Sequence, residues 1–157
     1  MATPFGVLGI RTHGETIVEI AFLPREGEVL APADKLSVVA WLQIERYLDD
    51  PSYRIALPLE EAGTPFQRRV WSAIAAIAPG RTRRYGEIAR GLGSSARAVG
   101  QACGENPYPL VVPCHRVVSS SGIGGFAHSG GGYLLEVKRW LLAHEGAIPG
   151  NAGEAAK

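Results

Sequence analysis

Residues 106–118 read NPYPLVVPCHRVV, and this stretch decides how the chain around it is arranged. Its three prolines fix φ and disfavour helix at the residues before them, so we expect an extended segment. The apolar residues 110–112 should be buried and should bring Cys114 to the edge of a core. His115 and Arg116 follow directly, and a neighbouring base or cation lowers a thiol pKa from its ordinary value of about 8.5. We therefore interpret Cys114 as a nucleophile; the alternative is a buried structural cysteine beside a surface histidine and arginine.

The composition is that of a globular protein. A chain of 157 residues with 46% hydrophobic content allows one domain, or a compact domain with a smaller lobe. Its two cysteines, Cys103 and Cys114, are too close together to suggest a disulfide framework. No apolar run approaches the length of a membrane span, and the first residues lack a signal-peptide pattern. We therefore expect a cytoplasmic protein without membrane association.

Charge is strongly segregated along the chain although the net charge is only +1. Residues 64–116 contain eight arginines, two glutamates and no lysine or aspartate, whereas residues 1–63 contain ten acidic and five basic residues. The middle segment is therefore a candidate surface for a polyanion. A solvated face that happens to use arginine would give the same composition.

The first part of the sequence predicts a small mixed lobe. Residues 5–10 and 16–23 are typical of two strands, and the turn residues between them predict a hairpin. Asp34 can cap a helix that runs to about Leu48, and residues 53–57 can form a further strand. The apolar face of this helix is predicted to comprise Leu36, Val39, Trp41, Leu42 and Leu48.

Helix signals are sharper from residue 64 onward. Thr64 is a favourable N-cap, Pro65 suits the first helical position, and Gln67 completes a capping box. Pro79 and Gly80 should stop this helix. Its buried stripe is predicted to comprise Phe66, Val70, Trp71, Ile74 and Ile77.

Two short helices follow and predict a helix-turn-helix. The first should span residues 85–92 and end at Gly93. Ser94 or Ser95 can cap the second, which should reach about Glu105. Such a pair can serve packing alone, or it can bind DNA.

Residues at the start of the second helix favour DNA binding. Ala96, Ala98 and Gly100 are small, so the helix backbone can approach a partner closely. Arg97 is the one long cationic side chain on that turn. Cys103, further along the same helix, is interpreted as a packed thiol.

The C-terminal part contains a glycine-rich stretch, residues 122–132, and a further helix over residues 133–144. The glycine-rich stretch lacks the strand and helix that flank a nucleotide-binding loop, so we interpret it as a wall over Cys114. Glu145 can be a plain surface acid, or it can orient His115 and complete a Cys–His–Glu relay. The residues predicted to bury this helix are Leu134, Leu135, Trp140, Leu141 and Leu142, and Gly146 should cap it.

Taken in order, the motifs of residues 43–146 resemble those of the O6-alkylguanine-DNA alkyltransferases. The resemblance implies an α+β fold with a small N-terminal lobe, a β-hairpin and helix, over residues 1–62. A mainly helical domain, residues 63–146, would carry the helix-turn-helix and the active-site cysteine, and residues 147–157 would be a flexible tail. The matching motifs are GTPFQ (63–67), VW (70–71), YGEIA (85–89), ARAVG (96–100), NP (106–107), PCHRV (113–117) and WLL with the later glutamate (140–145).

The same resemblance implies a DNA repair protein that flips O6-alkylguanine out of duplex DNA and transfers the alkyl group irreversibly to Cys114. An alkyl group on guanine O6 is out of reach inside the duplex, so extrusion is required. Glu145 would orient His115, which takes the cysteine proton through a water molecule before the thiolate attacks the alkyl carbon. The product is a thioether that water does not readily cleave, so one molecule would repair one lesion.

Individual roles also follow from the likeness. Arg97 would fill the space left by the extruded base, and Tyr85 would press on the flanking phosphate and protonate the departing guanine. Asn106 would hold the helix-turn-helix against the active-site segment. The carbonyls of Cys114 and Val117 would accept from the guanine amino group. Further predicted DNA contacts are Ala96, Ala98, Gly100 and Arg116, and the predicted substrate pocket comprises Pro113, Val117, Phe126 and Ala127.

The sequence also departs from the family pattern. Phe126 stands where a tyrosine is usual, and about five residues are inserted in the region of residues 128–132. Some relatives hold zinc in the N-terminal lobe through Cys and His ligands, but the first half of this chain has no cysteine. We therefore predict no metal and no cofactor, double-stranded DNA containing O6-alkylguanine as the partner, and a monomer.

Two other functions remain open. One is lesion recognition without transfer, as in alkyltransferase-like proteins, which resemble this sequence but lack the cysteine. The other is a Cys–His hydrolase that turns over acyl substrates. A hydrolase needs an oxyanion hole, which no motif identifies, and it gives no reason for an arginine-rich helix-turn-helix.

Overall fold

The computed structural model describes residues 1–23, 29–125 and 132–148, and it has the expected α+β fold. Three strands open the chain: β1 (Ala2–Thr3), β2 (Gly6–His13) and β3 (Thr16–Leu23). They form an antiparallel sheet in the order β1-β2-β3. The predicted hairpin is therefore confirmed, with Gly14 in the left-handed conformation at its turn (φ 62°).

The first helix, α1, spans Lys35–Asp49 and is capped as predicted by Asp34, whose carboxylate accepts from the Ser37 amide at 2.7 Å. Its predicted apolar face is only partly right, since Leu36 and Leu48 pack against the core. The buried residues are Ala40, Ile44 and Tyr47, whereas Val39 and Leu42 are 44% and 59% exposed. Apolar residues lie on more than one side of α1, and the stripe with i, i+4, i+7 spacing is the part that is fully buried.

The predicted strand at residues 53–57 is not formed. The Gln43 side chain accepts from the Ala56 amide at 2.7 Å and donates to the Ala56 carbonyl at 3.0 Å. A side-chain amide thus satisfies the backbone groups that a neighbouring strand would otherwise pair. The chain makes a single bridge to the sheet just afterwards, between Ile17 and Leu59.

Helix α2 spans Pro65–Ala75 and starts with the predicted capping box between Thr64 and Gln67. The helix-turn-helix is also confirmed: α3 spans Tyr85–Leu92 and α4 spans Ala96–Gly104, with Ser95 as N-cap. The turn depends on Gly93, which has φ 65°.

A short parallel pair of strands, missed by the sequence patterns, ties the helix-turn-helix to the active-site segment. Its strands are β4 (Arg83–Arg84) and β5 (Val117–Val118). Two-residue strands are too short to produce a periodic signal in the sequence.

The segment before Cys114 is a turn rather than the predicted extended chain. The Val112 amide donates to the Tyr108 carbonyl at 2.8 Å, and Leu110 adopts φ 76°. A 3-10 helix, Cys114–Arg116, follows directly. Prolines restrict φ to values that suit turns as well as extended chain, so they do not distinguish the two.

The last helix, α5, spans Gly132–His144, close to its predicted range. Leu141 and Leu142 are buried as predicted, but Leu134, Leu135 and Trp140 are only half-buried, and Val137 and Lys138 take the remaining core positions. Gly146 closes the helix with φ 76°, as expected. Among the residues described, no helix has the length and apolar character needed to cross a bilayer.

Candidate active site

Asn106 fixes Cys114 to the end of the helix-turn-helix. Its Nδ2 donates to the Val112 carbonyl at 2.9 Å and to the Cys114 Sγ at 3.2 Å. Its Oδ1 accepts from the Tyr108 amide at 2.9 Å. One side chain, placed just after α4, therefore holds both the turn and the sulfur.

The carboxylate of Glu145 is the centre of the buried polar network. Its side chain has no exposed surface and accepts from His115 Nε2 at 2.7 Å and from the Tyr47 hydroxyl at 2.6 Å. Arg116 adds a bidentate ion pair, with Nε and Nη2 at 2.8 and 2.9 Å. The Gly80 amide donates to the same carboxylate at 3.3 Å.

These contacts determine the charge states of Glu145 and His115. Burial alone would raise the pKa of Glu145, but hydrogen bonds from His115 and Arg116 hold it well below its ordinary range. Burial lowers the pKa of His115, against the opposing effect of Glu145, so the ring is neutral at pH 7. Because Nε2 donates to the carboxylate, Nδ1 of the neutral ring is unprotonated.

His115 Nδ1 is buried and has no hydrogen-bond partner among the described residues. A buried nitrogen without a partner is costly unless a substrate or water reaches it. This atom is therefore the available base in the site, one residue from the Cys114 thiol.

The Cys114 thiol is only 4% exposed. Contact with the Cys103 thiol and burial raise the pKa of Cys114 well above its ordinary value. The hydrogen bond from Asn106 and the positive charge of Lys138 act in the opposite direction. The resting sulfur is thus a thiol, and a base is needed to make it a nucleophile.

Lys138 is a site residue that the sequence interpretation missed. It is completely buried in α5 and donates through Nζ to the carbonyls of Val117 and Gly125, at 2.7 and 2.8 Å. The ammonium also lies 5.8 Å from the centre of the Tyr85 ring. Burial lowers the pKa of Lys138 to about 8.

A sequence signal for Lys138 did exist. Leu134, Lys138, Leu141 and Glu145 follow the i, i+4, i+7 spacing of one helix face, and that face is otherwise apolar until the glutamate. A lysine on such a stripe indicates a buried charge with a specific partner.

Tyr85 stands at the boundary between the helix-turn-helix and the site. Its hydroxyl donates to the Gly125 carbonyl at 3.3 Å, and burial raises its pKa. Gly124 packs on the ring so closely that a Cβ there would lie 2.9 Å from it. With φ 77°, position 124 favours glycine for both reasons.

The predicted DNA contacts separate into exposed and buried groups. Ala96 and Arg97 are exposed at the start of α4, and Ala98 and Gly100 are half-buried. The prediction that Arg116 contacts DNA is wrong, because its guanidinium is held by Glu145 and by the Ile77 carbonyl and the residue is only 6% exposed. The seven other arginines of the segment are all exposed: Arg68, Arg69, Arg81, Arg83, Arg84, Arg90 and Arg97.

The predicted substrate pocket is only partly described. Pro113 and Val117 are buried next to Cys114, and the Val117 carbonyl already accepts from Lys138. Phe126 and Ala127, and most of the insertion at residues 128–132, lie outside the described residues. Within the described part of the chain, no group of three or more His, Cys, Asp or Glu side chains could hold a metal ion.

A cysteine nucleophile and a histidine base lie next to a helix-turn-helix. This combination is that of a DNA-binding protein that carries out covalent chemistry. Comparison with known families specifies the class: the DNA binding domain of 6-O-methylguanine DNA methyltransferase matches residues 65–147. The chain belongs to the methylated-DNA–protein-cysteine methyltransferase family.

Individual relatives agree with this assignment. The methylated-DNA–protein-cysteine methyltransferase of Mycobacterium bovis is 37% identical over 150 residues, which cover 91% of this chain and 88% of that one. A probable enzyme of the same name from Acanthamoeba polyphaga mimivirus is 48% identical over 95 residues, 59% of this chain and 60% of its own length. The chain therefore spans less than two thirds of the viral relative.

Solved structures extend the likeness to nearly the whole chain. Crystal structures of Mycobacterium tuberculosis O6-methylguanine methyltransferase match with a TM-score of 0.78 and 34% identity, over 98% of this chain and 95% of that one. One such structure holds the Mycobacterium tuberculosis OGT in complex with DNA. The fold described above is thus that of this family.

We predict that Glu145 makes the stability of the protein sensitive to acid. Its pKa is depressed in the folded state, so below about pH 4.5 the unfolded chain binds a proton that the folded chain does not. The free energy of unfolding should therefore fall as pH is lowered from 4.5, measured by urea denaturation at several pH values.

Glu145→Gln is the matched variant for this measurement. It should be less stable at pH 7 and should lose part of the acid dependence. Equal slopes of unfolding free energy against pH in both proteins would contradict the assignment.

Proposed function

We propose that the protein repairs double-stranded DNA by transferring the alkyl group of O6-alkylguanine irreversibly to its own Cys114. The observation that carries the proposal is that Asn106, just after the helix-turn-helix, holds the Cys114 thiol, while the adjacent His115 is bound to Glu145. The names of the relatives support the same reaction. Each molecule acts once.

The proton chemistry follows from the charge states in the site. Glu145 accepts from His115 Nε2, which leaves Nδ1 free to take the Cys114 proton, through a water molecule as the family resemblance implies. The positive charge of Lys138 favours the thiolate that forms. The raised pKa of the thiol means that this step requires the base.

The transfer itself is a single displacement. The thiolate attacks the alkyl carbon, an S–C bond forms, and the C–O6 bond breaks with its electron pair passing to the guanine. A proton from the Tyr85 hydroxyl neutralises the departing base. Since burial raises the pKa of Tyr85, the phenol keeps this proton across the physiological range. The thioether product has no carbonyl for water to attack, so Cys114 is not regenerated.

DNA binding is assigned to the exposed face of the helix-turn-helix. The small residues Ala96, Ala98 and Gly100 let α4 enter the minor groove, and Arg97 fills the space of the extruded base. The exposed arginines around them, Arg84 and Arg90 among others, neutralise phosphates, so affinity should weaken with salt.

The remaining properties belong to the same proposal. The partner is double-stranded DNA containing O6-alkylguanine, and the protein acts as a monomer. Its location is the cytoplasm; two free thiols, Cys103 and Cys114, are typical of a reducing compartment.

The first test is the mass of the intact protein after incubation with excess duplex that carries one O6-methylguanine. We expect a gain of about 14 mass units, one methylene, saturating at one per molecule and located on Cys114. Cys114→Ala should show no gain while still binding the duplex. An unchanged mass with tight binding would indicate recognition without transfer, and turnover of an acyl substrate would indicate a hydrolase.

The second test separates base extrusion from chemistry. Arg97→Ala should slow transfer from the duplex by about 10-fold or more, because no side chain then fills the space that the extruded base leaves in the DNA stack. Transfer from a free O6-alkylguanine base, which needs no extrusion, should keep its wild-type rate.

The matched control is Arg54→Ala, which removes an exposed arginine outside the arginine-rich segment. It should leave both single-turnover rates unchanged. Equal loss of both rates in Arg97→Ala would show that Arg97 supports the fold or the chemistry instead of extrusion.

A further inference from the structure

Cys103 lies beside the nucleophile, in a position that the proposed transfer reaction does not use. It belongs to the last turn of α4, and its carbonyl accepts from the Asn106 amide at 3.2 Å. Asn106 in turn donates through its side chain to the Cys114 Sγ at 3.2 Å. The two thiols are themselves within hydrogen-bonding reach of each other.

The two sulfurs differ in access. Cys114 is 4% exposed, whereas Cys103 is half-buried and packs at the edge of the core cluster that contains Cys114. Both lie close enough to Lys138 to oppose the lowering of the Lys138 pKa by burial. A partly exposed cysteine next to a buried one can be oxidised first and then form a disulfide with its neighbour.

We propose that Cys103 and Cys114 form a reversible disulfide on reaction with a peroxide, which makes the nucleophile of this protein a redox-sensitive modification site. The chain has only these two cysteines, so an intramolecular disulfide can have no other composition. The proposal does not depend on the alkyl-transfer reaction.

The chemistry is balanced with a peroxide as the oxidant. The Cys103 thiolate attacks one peroxide oxygen, the O–O bond breaks, and the leaving oxygen takes a proton as water or alcohol. Cys103 is then a sulfenic acid. The Cys114 sulfur displaces its hydroxyl group, which leaves as water, and the S–S bond forms. A dithiol reductant reverses the reaction by thiol–disulfide exchange.

The consequence is a protected but inactive state. While Cys114 is in the disulfide, its sulfur cannot attack an alkyl carbon or be oxidised to the irreversible sulfinic acid. Reduction returns the thiol. A molecule that can act only once would thus keep its single reaction through an episode of oxidation.

The test is the intact mass of fully reduced protein, at low micromolar concentration, after treatment with one equivalent of hydrogen peroxide. We expect a loss of about 2 mass units, loss of both iodoacetamide-reactive thiols, and a peptide that links Cys103 to Cys114. Alkyl transfer should be lost to the same extent as the disulfide forms, and dithiothreitol should restore both the mass and the transfer.

Cys103→Ser is the matched control, because it keeps the size of the side chain and removes the second sulfur. It should never show the 2-unit loss, and because Cys103 is the thiol that attacks the peroxide, the treated variant should keep both its mass and its alkyl transfer. Cys103→Ala serves if the serine variant does not fold.

Wild-type protein alone can overturn the proposal. Gain of oxygen without loss of hydrogen, a disulfide formed only between two molecules, or an unchanged mass would each do so. The mass readout needs no DNA. If the disulfide forms but the reduced protein transfers no alkyl group, only the proposed function is refuted. If the reduced protein transfers the alkyl group but no disulfide forms, only the redox inference is refuted.

Discussion

The structure depends on one buried carboxylate. Glu145 follows the last turn of α5 and accepts from Tyr47 of α1, from Gly80 after α2, and from His115 and Arg116 of the 3-10 helix. It therefore connects the first lobe, the approach to the helix-turn-helix and the nucleophile segment. Breaking a buried ion pair of this kind costs about 3–5 kcal/mol, because the remaining charge is left without compensation.

That arrangement joins stability to reactivity. Arg116 neutralises the buried carboxylate and so helps it stay ionised, while the carboxylate fixes which nitrogen of His115 carries the proton. Asn106 and Lys138 then hold the two sides of the nucleophile segment, at the sulfur and at the Val117 carbonyl. The positions of the reacting groups are thus set by buried polar contacts rather than by apolar packing alone.

Sequence patterns predicted the parts of the molecule whose signals are local. The hairpin, the capping box at Thr64 and the helix-turn-helix with its Gly93 turn all depend on residues within a few positions of one another. The turn before Cys114 was missed because prolines suit turns as well as extended chain. The failures within the polar network depend on distant contacts. Arg116 was counted with the exposed arginines because its partner Glu145 is 29 residues away, and the link from Tyr47 to Glu145 spans 98 residues. Lys138 was overlooked although its position on the apolar face of α5 is a local signal; what the sequence could not give is its partners, the carbonyls of Val117 and Gly125.

The role of Glu145 is tested most directly by the single-turnover rate of methyl transfer in Glu145→Gln at pH 7, compared with wild type under conditions where both remain folded. Glutamine keeps the size of the side chain but cannot hold His115 and Arg116 by charge. We predict a rate lower by about 100-fold or more, with affinity for the duplex unchanged, because general-base catalysis contributes that much. An unchanged rate in a folded variant would contradict the claim that this carboxylate activates the nucleophile.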